Sequence, residues 1–298
     1  MGVFLEVVLP IISVFIIGYL LQKWRKLDVK SVSAVTIYLF IPFLVFDAFY
    51  YEEFSNDFGI IIISCFVLLF ATIALIKFLK LLFKWDRMEE SGIILSSSFM
   101  NAGNYGAPII MFALNEEAFN YAIIFMAIQT IIMNVFGVYY ASRGGYEVRY
   151  AIFAVFKMPA TYAILLGISL NLLDVNLHTR VLDMVDFMSA VALPLMMVVL
   201  GMQLANISFE KFEAGKVMAG TIVKLIVMPI MAWGLVTLLP VSDLLGKVII
   251  LQSAMPAAAT TTMFALEFKA KPDLVSSVTL VTTVLSVVTI SILLVILV

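Results

Sequence analysis

The chain has 298 residues, of which 63% are hydrophobic and only 13% charged, with a formal net charge of -2 and a mean hydropathy of +1.13. A soluble domain runs roughly 45–50% apolar and about 25% charged, so a water-soluble globule of this size would expose very large apolar patches. The composition excludes that class and points to an all-α polytopic membrane protein. One histidine, His178, and one cysteine, Cys65, leave no internal disulfide, no Cys/His zinc site and no His-based catalytic triad. No Gly-rich phosphate loop is present, so ATP hydrolysis is not signalled.

Ten apolar runs of the length a spanning helix needs, about 20 residues, follow in order. Span 1 (3–22) has no basic leader and no evident small-residue cleavage site, and reads as a retained span. Span 2 (32–50) carries Ile41-Pro42-Phe43-Leu44 and, near its far end, Asp47. An ionisable group within a span is a functional candidate, so Asp47 is a candidate proton site. Span 3 covers 59–83. Span 4 (91–114) holds Ser96-Ser97-Ser98-Phe99-Met100-Asn101-Ala102-Gly103-Asn104-Tyr105-Gly106-Ala107-Pro108. Span 5 (119–141) leads into a short linker, 142–146, and span 6 (150–173). His178 falls in the next gap and reads as a loop residue. Span 7 (181–203) carries Leu193-Pro194-Leu195-Met196, and span 8 covers 216–239. Span 9 (245–266) reads Gln252-Ser253-Ala254-Met255-Pro256-Ala257-Ala258-Ala259-Thr260-Thr261-Thr262, and span 10 is 274–297. Lys77, Lys157 and Lys224 lie toward one end of their spans, where long side chains can snorkel to the interface.

Alternate gaps and their flanks hold 16 of the 18 basic residues; Arg180 and Lys247 are the exceptions. Basic loops stay in the cytoplasm, so a multi-pass protein of the cell membrane with both termini outside is expected. The Pro42 and Pro194 motifs lie 152 residues apart. So do Met111-Phe112-Ala113-Leu114 and Met263-Phe264-Ala265-Leu266. Both matches place one span on the fifth span after it. The expectation is two five-span repeats, 1–145 and 146–298, of opposite topology, a plan common among secondary transporters.

Spans 4 and 9 are the least helix-friendly. Pro108 and Pro256 cannot donate a helical hydrogen bond, and Gly103 and Gly106 let the backbone leave helical geometry. Irregular backbone at mid-membrane depth is tolerated only inside protein or along a wet cavity. Interrupted helices in matching positions of two halves point to a transporter binding site. The site residues expected are Asn101, Gly103, Asn104, Tyr105, Pro108, Met255, Pro256, Thr260 and Thr261. Pro42 and Pro194 read as milder kinks.

Asn101-Ala102-Gly103-Asn104-Tyr105-Gly106-Ala107-Pro108 resembles the signature of the auxin efflux carrier family, which spans bacterial organic-anion permeases and the plant PIN-formed carriers. Ile41 to Phe46, Met255-Pro256, Lys157-Met158-Pro159 and Val199 to Leu204 are similar to its other recurring segments. The resemblance covers the whole chain. It implies ten helices in two inverted repeats, as in bile acid/sodium symporters, with spans 4 and 9 crossing at broken centres. It also implies a panel of spans 1, 2, 6 and 7 against which the other six move. Plant carriers tend to have Asn after the span 9 proline, where this chain has Ala257 to Ala259, so auxin itself is not carried over as the substrate.

Half-helix N-termini at such a crossing expose N–H groups and partial positive charge, which favour a carboxylate. The expected partner is therefore a small anionic substrate, within the lipid bilayer. Nucleic acid is not expected, and a homodimer is left open. No cofactor or metal is expected; coupling to H+ or Na+ is open, although the crossing has no acidic residue to strengthen a sodium site. A channel is the alternative, but no ring of filter residues appears. An intramembrane enzyme lacks its dyad, so catalysis is not expected.

Overall fold

The computed structural model describes residues 4–52, 56–142, 156–207 and 212–297. All regular structure among them is helical, apart from one isolated bridge. Seven helices are long and apolar enough to cross a membrane. They are α1 (Glu6–Arg25), α2 (Val29–Tyr50), α3 (Asn56–Phe83), α6 (Glu116–Ser142), α8 (Thr179–Ala205), α9 (Ala214–Leu238) and α12 (Pro272–Leu297). Helix α7 (Pro159–Leu172) is apolar but shorter. Two stretches are split into half-length helices: α4 (Arg87–Ser97) with α5 (Ala107–Ala113), and α10 (Asp243–Ala254) with α11 (Thr260–Glu267). The linker at 142–146 and the boundary after 145 fall almost wholly outside the described residues, as does the start of span 6.

Polar residues in the gaps set the helix ends. Lys26 takes the left-handed conformation (φ 47°) and closes α1 with its N–H on Gln22 O at 2.8 Å. Asp86 and Glu89 form a reciprocal capping box that starts α4 four residues before the hydropathy does. His178, expected as a loop residue, caps α8 by accepting from Arg180 N–H at 3.2 Å.

Four prolines act in the same way. Pro10, Pro42, Pro108 and Pro229 each lie two residues beyond a widened turn: Phe4–Val8, Thr36–Phe40, Ala102–Gly106 and Val223–Val227. Proline has no N–H for the carbonyl four residues back, and its ring pushes that carbonyl aside. The preceding N–H groups shift to i→i−5 acceptors, as Ile41 to Thr36 and Ala107 to Ala102. Pro108 therefore widens a helix and does not break it. Pro194 lies inside α8 without interrupting it. A fifth wide turn, Met133–Gly137, ends in glycine.

The packing sorts the helices into two groups. Helices α1, α2, α7 and α8 pack on one another, and α3 to α6 with α9 to α12 form the second set. Near one end of α3, Lys80 pairs with Glu90 at 2.5 Å. At the same end of the bundle Glu89 and Glu213 share Lys216, and Lys271 lies 3.7 Å from each carboxylate. At the other end of α3, Tyr121 Oη meets Asp57 at 3.0 Å.

Candidate functional site

Helix α10 ends because Met255 precedes a proline, which forces it to extended backbone (φ -62°, ψ 149°). Helix α4 ends in three serines, and Ser96 and Ser97 turn their hydroxyls onto the carbonyls of Gly92 (2.8 Å) and Gly220 (3.1 Å). The two released strands then pair antiparallel through Met100 and Ala257. Asn101 N–H donates to Pro256 O at 2.9 Å, and Ala258 N–H donates to Phe99 O at 3.1 Å. Ala257 N–H finds Thr282 Oγ1 at 3.2 Å, and Gln252 Nε2 reaches Ala102 O at 3.3 Å. Backbone groups freed at this depth must be paired within the protein, and these bonds pair them.

Beyond the crossing, the wide turn Ala102–Gly106 and helix α11 begin. The first N–H groups of a helix have no partner inside it and carry its positive dipole end. At α11 the N–H groups of Thr261 and Thr262 donate to Ala258 O and Ala259 O, so that start contributes chiefly its dipole. Both starts border a cavity of about 160 Å³, partly open, between the two helix groups. Asn101, Gly103, Asn104 and Thr260 line it, together with Gln129 and Asn134 of α6, Gln203 of α8 and five methionines. No charged side chain lines it. Asn101 Nδ2, both polar atoms of Gln129, and Gln203 Oε1 are buried without a hydrogen-bond partner. Three of the five wide turns, at Thr36, Ala102 and Met133, contribute lining residues. Such turns recur at functional sites because they aim side chains that a regular helix would rotate away.

The family model described as "Membrane transport protein" matches residues 3–151 and 149–294. The chain belongs to this family. It is the auxin efflux carrier family of the sequence resemblance. An uncharacterized transporter of Methanothermobacter thermautotrophicus is 27% identical over 295 residues, covering 95% of each chain. An uncharacterized transporter of Methanocaldococcus jannaschii is 24% identical over 296 residues, again 95% of each chain.

The structure divides the site residues expected of this membrane transport protein. Asn101, Gly103, Asn104 and Thr260 face the cavity. Met255 and Pro256 form the crossing strand itself. Tyr105 lies outside the cavity, with its ring 5.1 Å from that of Phe15 and its hydroxyl bonded to Ser286 at 3.0 Å. Thr261 spends its hydroxyl on Ala258 O at 2.7 Å. Pro108 sits in the first turn of α5, away from the lining. Asp47 is half-buried in α2, with Asp186 and Glu116 as its charged neighbours, and does not reach the cavity.

Gln129, Asn134 and Gln203 were not singled out as site residues from the sequence. Their signal was present as amides inside apolar spans 5 and 7, without the helix-breaking neighbours that mark span 4. Lys224 corrects the snorkelling expectation. Lys77 and Lys157 are exposed, whereas Lys224 is fully buried, with Nζ 3.1 Å from Ser253 O and 3.0 Å from Met228 Sδ. The face of the wide turn that carries it packs on α4, α10 and α12, while Ile226 of the same turn is exposed.

Proposed function

We propose that this transporter is a secondary carrier moving a small organic anion, a carboxylate, across the cell membrane by alternating access. The observation that carries the reading is the convergence of two helix starts on one cavity lined by neutral amides. N–H groups and dipole ends favour an anion without a fixed cation in the cavity. The unpaired amides of Asn101 and Gln129 supply further hydrogen bonds. A permanent water-filled pore is disfavoured by the pairing of Asn101 with Pro256, which closes the crossing with backbone hydrogen bonds.

In this reading the seven long helices, the shorter α7 and the two split stretches make ten crossings in two inverted halves, 1–145 and 146–298. The equal spacing of 157 residues between Ser97 and Ala254, where α4 and α10 end, and between Met100 and Ala257 supports it. That spacing differs from the 152 of the short motifs, so the register between the halves shifts within the repeat. The basic ends at Lys80, Lys216 and Lys271 then face the cytoplasm, with both chain termini outside.

Uptake of radiolabelled mono- and dicarboxylates into liposomes containing the purified protein tests the proposal. The expected outcome is saturable uptake of at least one carboxylate, competed by its analogues and lost in Asn101→Ala. Flux that grows linearly with concentration would instead identify a channel.

A further inference from the structure

Lys224 has no part in the cavity, and nothing in the anion reading uses it. It is fully buried, and among the described residues no carboxylate lies within ion-pair distance. The charged residues on the elements packed around it sit toward the outer ends of their helices. These are Arg87, Glu89 and Glu90 on α4, Asp243 and Lys247 on α10, Asp273 on α12, and Lys216 on its own helix.

Beside Lys224 Nζ lie Met228 Sδ and the C-terminus of α10, and the C-terminus of α4 reaches the preceding turn of the same helix. Ser253 is the penultimate residue of α10, and its carbonyl accepts from Nζ. One turn earlier on the same face of α9, Gly220 O accepts from Ser97, the last residue of α4. A Cβ on Gly220 would lie 3.1 Å from Val278 Cγ2, tighter than ordinary contact, so α12 packs closely on this face. The last carbonyls of a helix are unpaired within it and carry its negative dipole end. Two such ends meet on one short stretch of α9. The hydroxyls of Ser98 and Thr221, next in sequence to Ser97 and Gly220, are buried without a partner. Unwound carbonyls and half-helix C-termini are the groups with which carriers of this plan hold a coupling cation.

We propose that Lys224 Nζ fills the seat that a coupling sodium ion would take behind the crossing, so that this protein carries its own cation there and binds no sodium at that position. The anion cavity lies on the N-terminal side of the crossing and the lysine on the C-terminal side. A fixed amine supplies hydrogen bonds to the half-helix end through the whole cycle, whereas a sodium ion would have to enter and leave with each turnover. The proposal rests on reading the crossing as the transport site. Its test needs no transported substrate, so its failure is distinguishable from failure of the anion assignment.

The experiment is equilibrium binding of radioactive sodium to the purified full-length protein, with choline replacing sodium at constant ionic strength. Wild type is expected to show no saturable sodium binding. Lys224→Ser, which empties the seat and leaves the carbonyls in place, is expected to gain about one saturable site per chain and to become sodium-stabilised in thermal unfolding. Lys224→Met, which fills the space with an apolar chain, is expected to gain none. Saturable sodium binding to wild type overturns the proposal, and that arm holds even if the serine variant fails to fold. A folded Lys224→Ser protein that binds no sodium overturns it too, as does sodium binding by Lys224→Met.

Discussion

Gln129 separates a binding residue from a packing residue by the sign of its effects. Its amide is buried and neither polar atom has a partner in the fold, which costs the folded state about 1–3 kcal/mol for each group left unpaired. Gln129→Leu removes that cost at similar volume. The expected outcome is a thermal midpoint equal to or above wild type together with loss of carboxylate uptake, both measured on the same preparation. A fall in stability with transport retained would mean that Gln129 belongs to the scaffold. Tyr105 is the contrasting case. It stands inside the family-like motif, yet its ring and hydroxyl are committed to Phe15 and Ser286, neither of which lines the cavity. The sequence places both neighbours of a site in one string; only the direction of each side chain tells ligand contact from packing.

At the level of the helices, α1 and α8 approach closely enough that glycine is required in both. A Cβ on Gly18 would lie 2.3 Å from Val198 O, and one on Gly201 would lie 2.0 Å from Phe15 O. The obstacles are backbone atoms and cannot rotate away. Small residues at such interfaces let membrane helices gain dispersion contacts where no hydrophobic drive exists. Gly201→Ala is therefore expected to lower stability by about 1–3 kcal/mol or more through overpacking. Gly234→Ala, where a Cβ meets nothing within 4 Å, is expected to gain up to about 1 kcal/mol from helix propensity. Thermal unfolding in one detergent compares the two, and equal effects would refute the close-crossing argument. The prolines act at this level too. Each rule-breaking residue was visible in the sequence, but whether it would split a span or widen a turn was not. Pro256 splits because the residue before it turns extended. Pro108 widens because a helical turn had already begun at Ala102.

For the molecule as a whole, the cavity lies between the two helix groups, and the proposed alternating access requires one group to move against the other. Thr36 on α2 and Met133 on α6 line the cavity from opposite groups. A cysteine at each position, on a Cys65→Ala background, joined by a cleavable thiol cross-linker, is expected to stop uptake, and reduction is expected to restore it. Complete cross-linking with unchanged uptake would refute movement of one group against the other.

The apolar composition and the spacing of polar gaps, read from the sequence alone, determined that the chain is helical and built for a membrane. They also located the two stretches where helices stop. These are properties of local hydropathy and of proline and glycine backbones, which act without knowledge of distant residues. The family resemblance implied that the broken centres of spans 4 and 9 cross, and the tertiary structure decided how they pair, because the Asn101–Pro256 and Phe99–Ala258 hydrogen bonds join residues about half a chain apart. It recruited Gln129, Asn134 and Gln203 to the cavity, since an amide in an apolar span is ambiguous until its face is known. It also buried Lys224, whose distance along the sequence from the interface suggested a snorkelling side chain. Its environment depends instead on α4, α10 and α12 closing around one turn of α9.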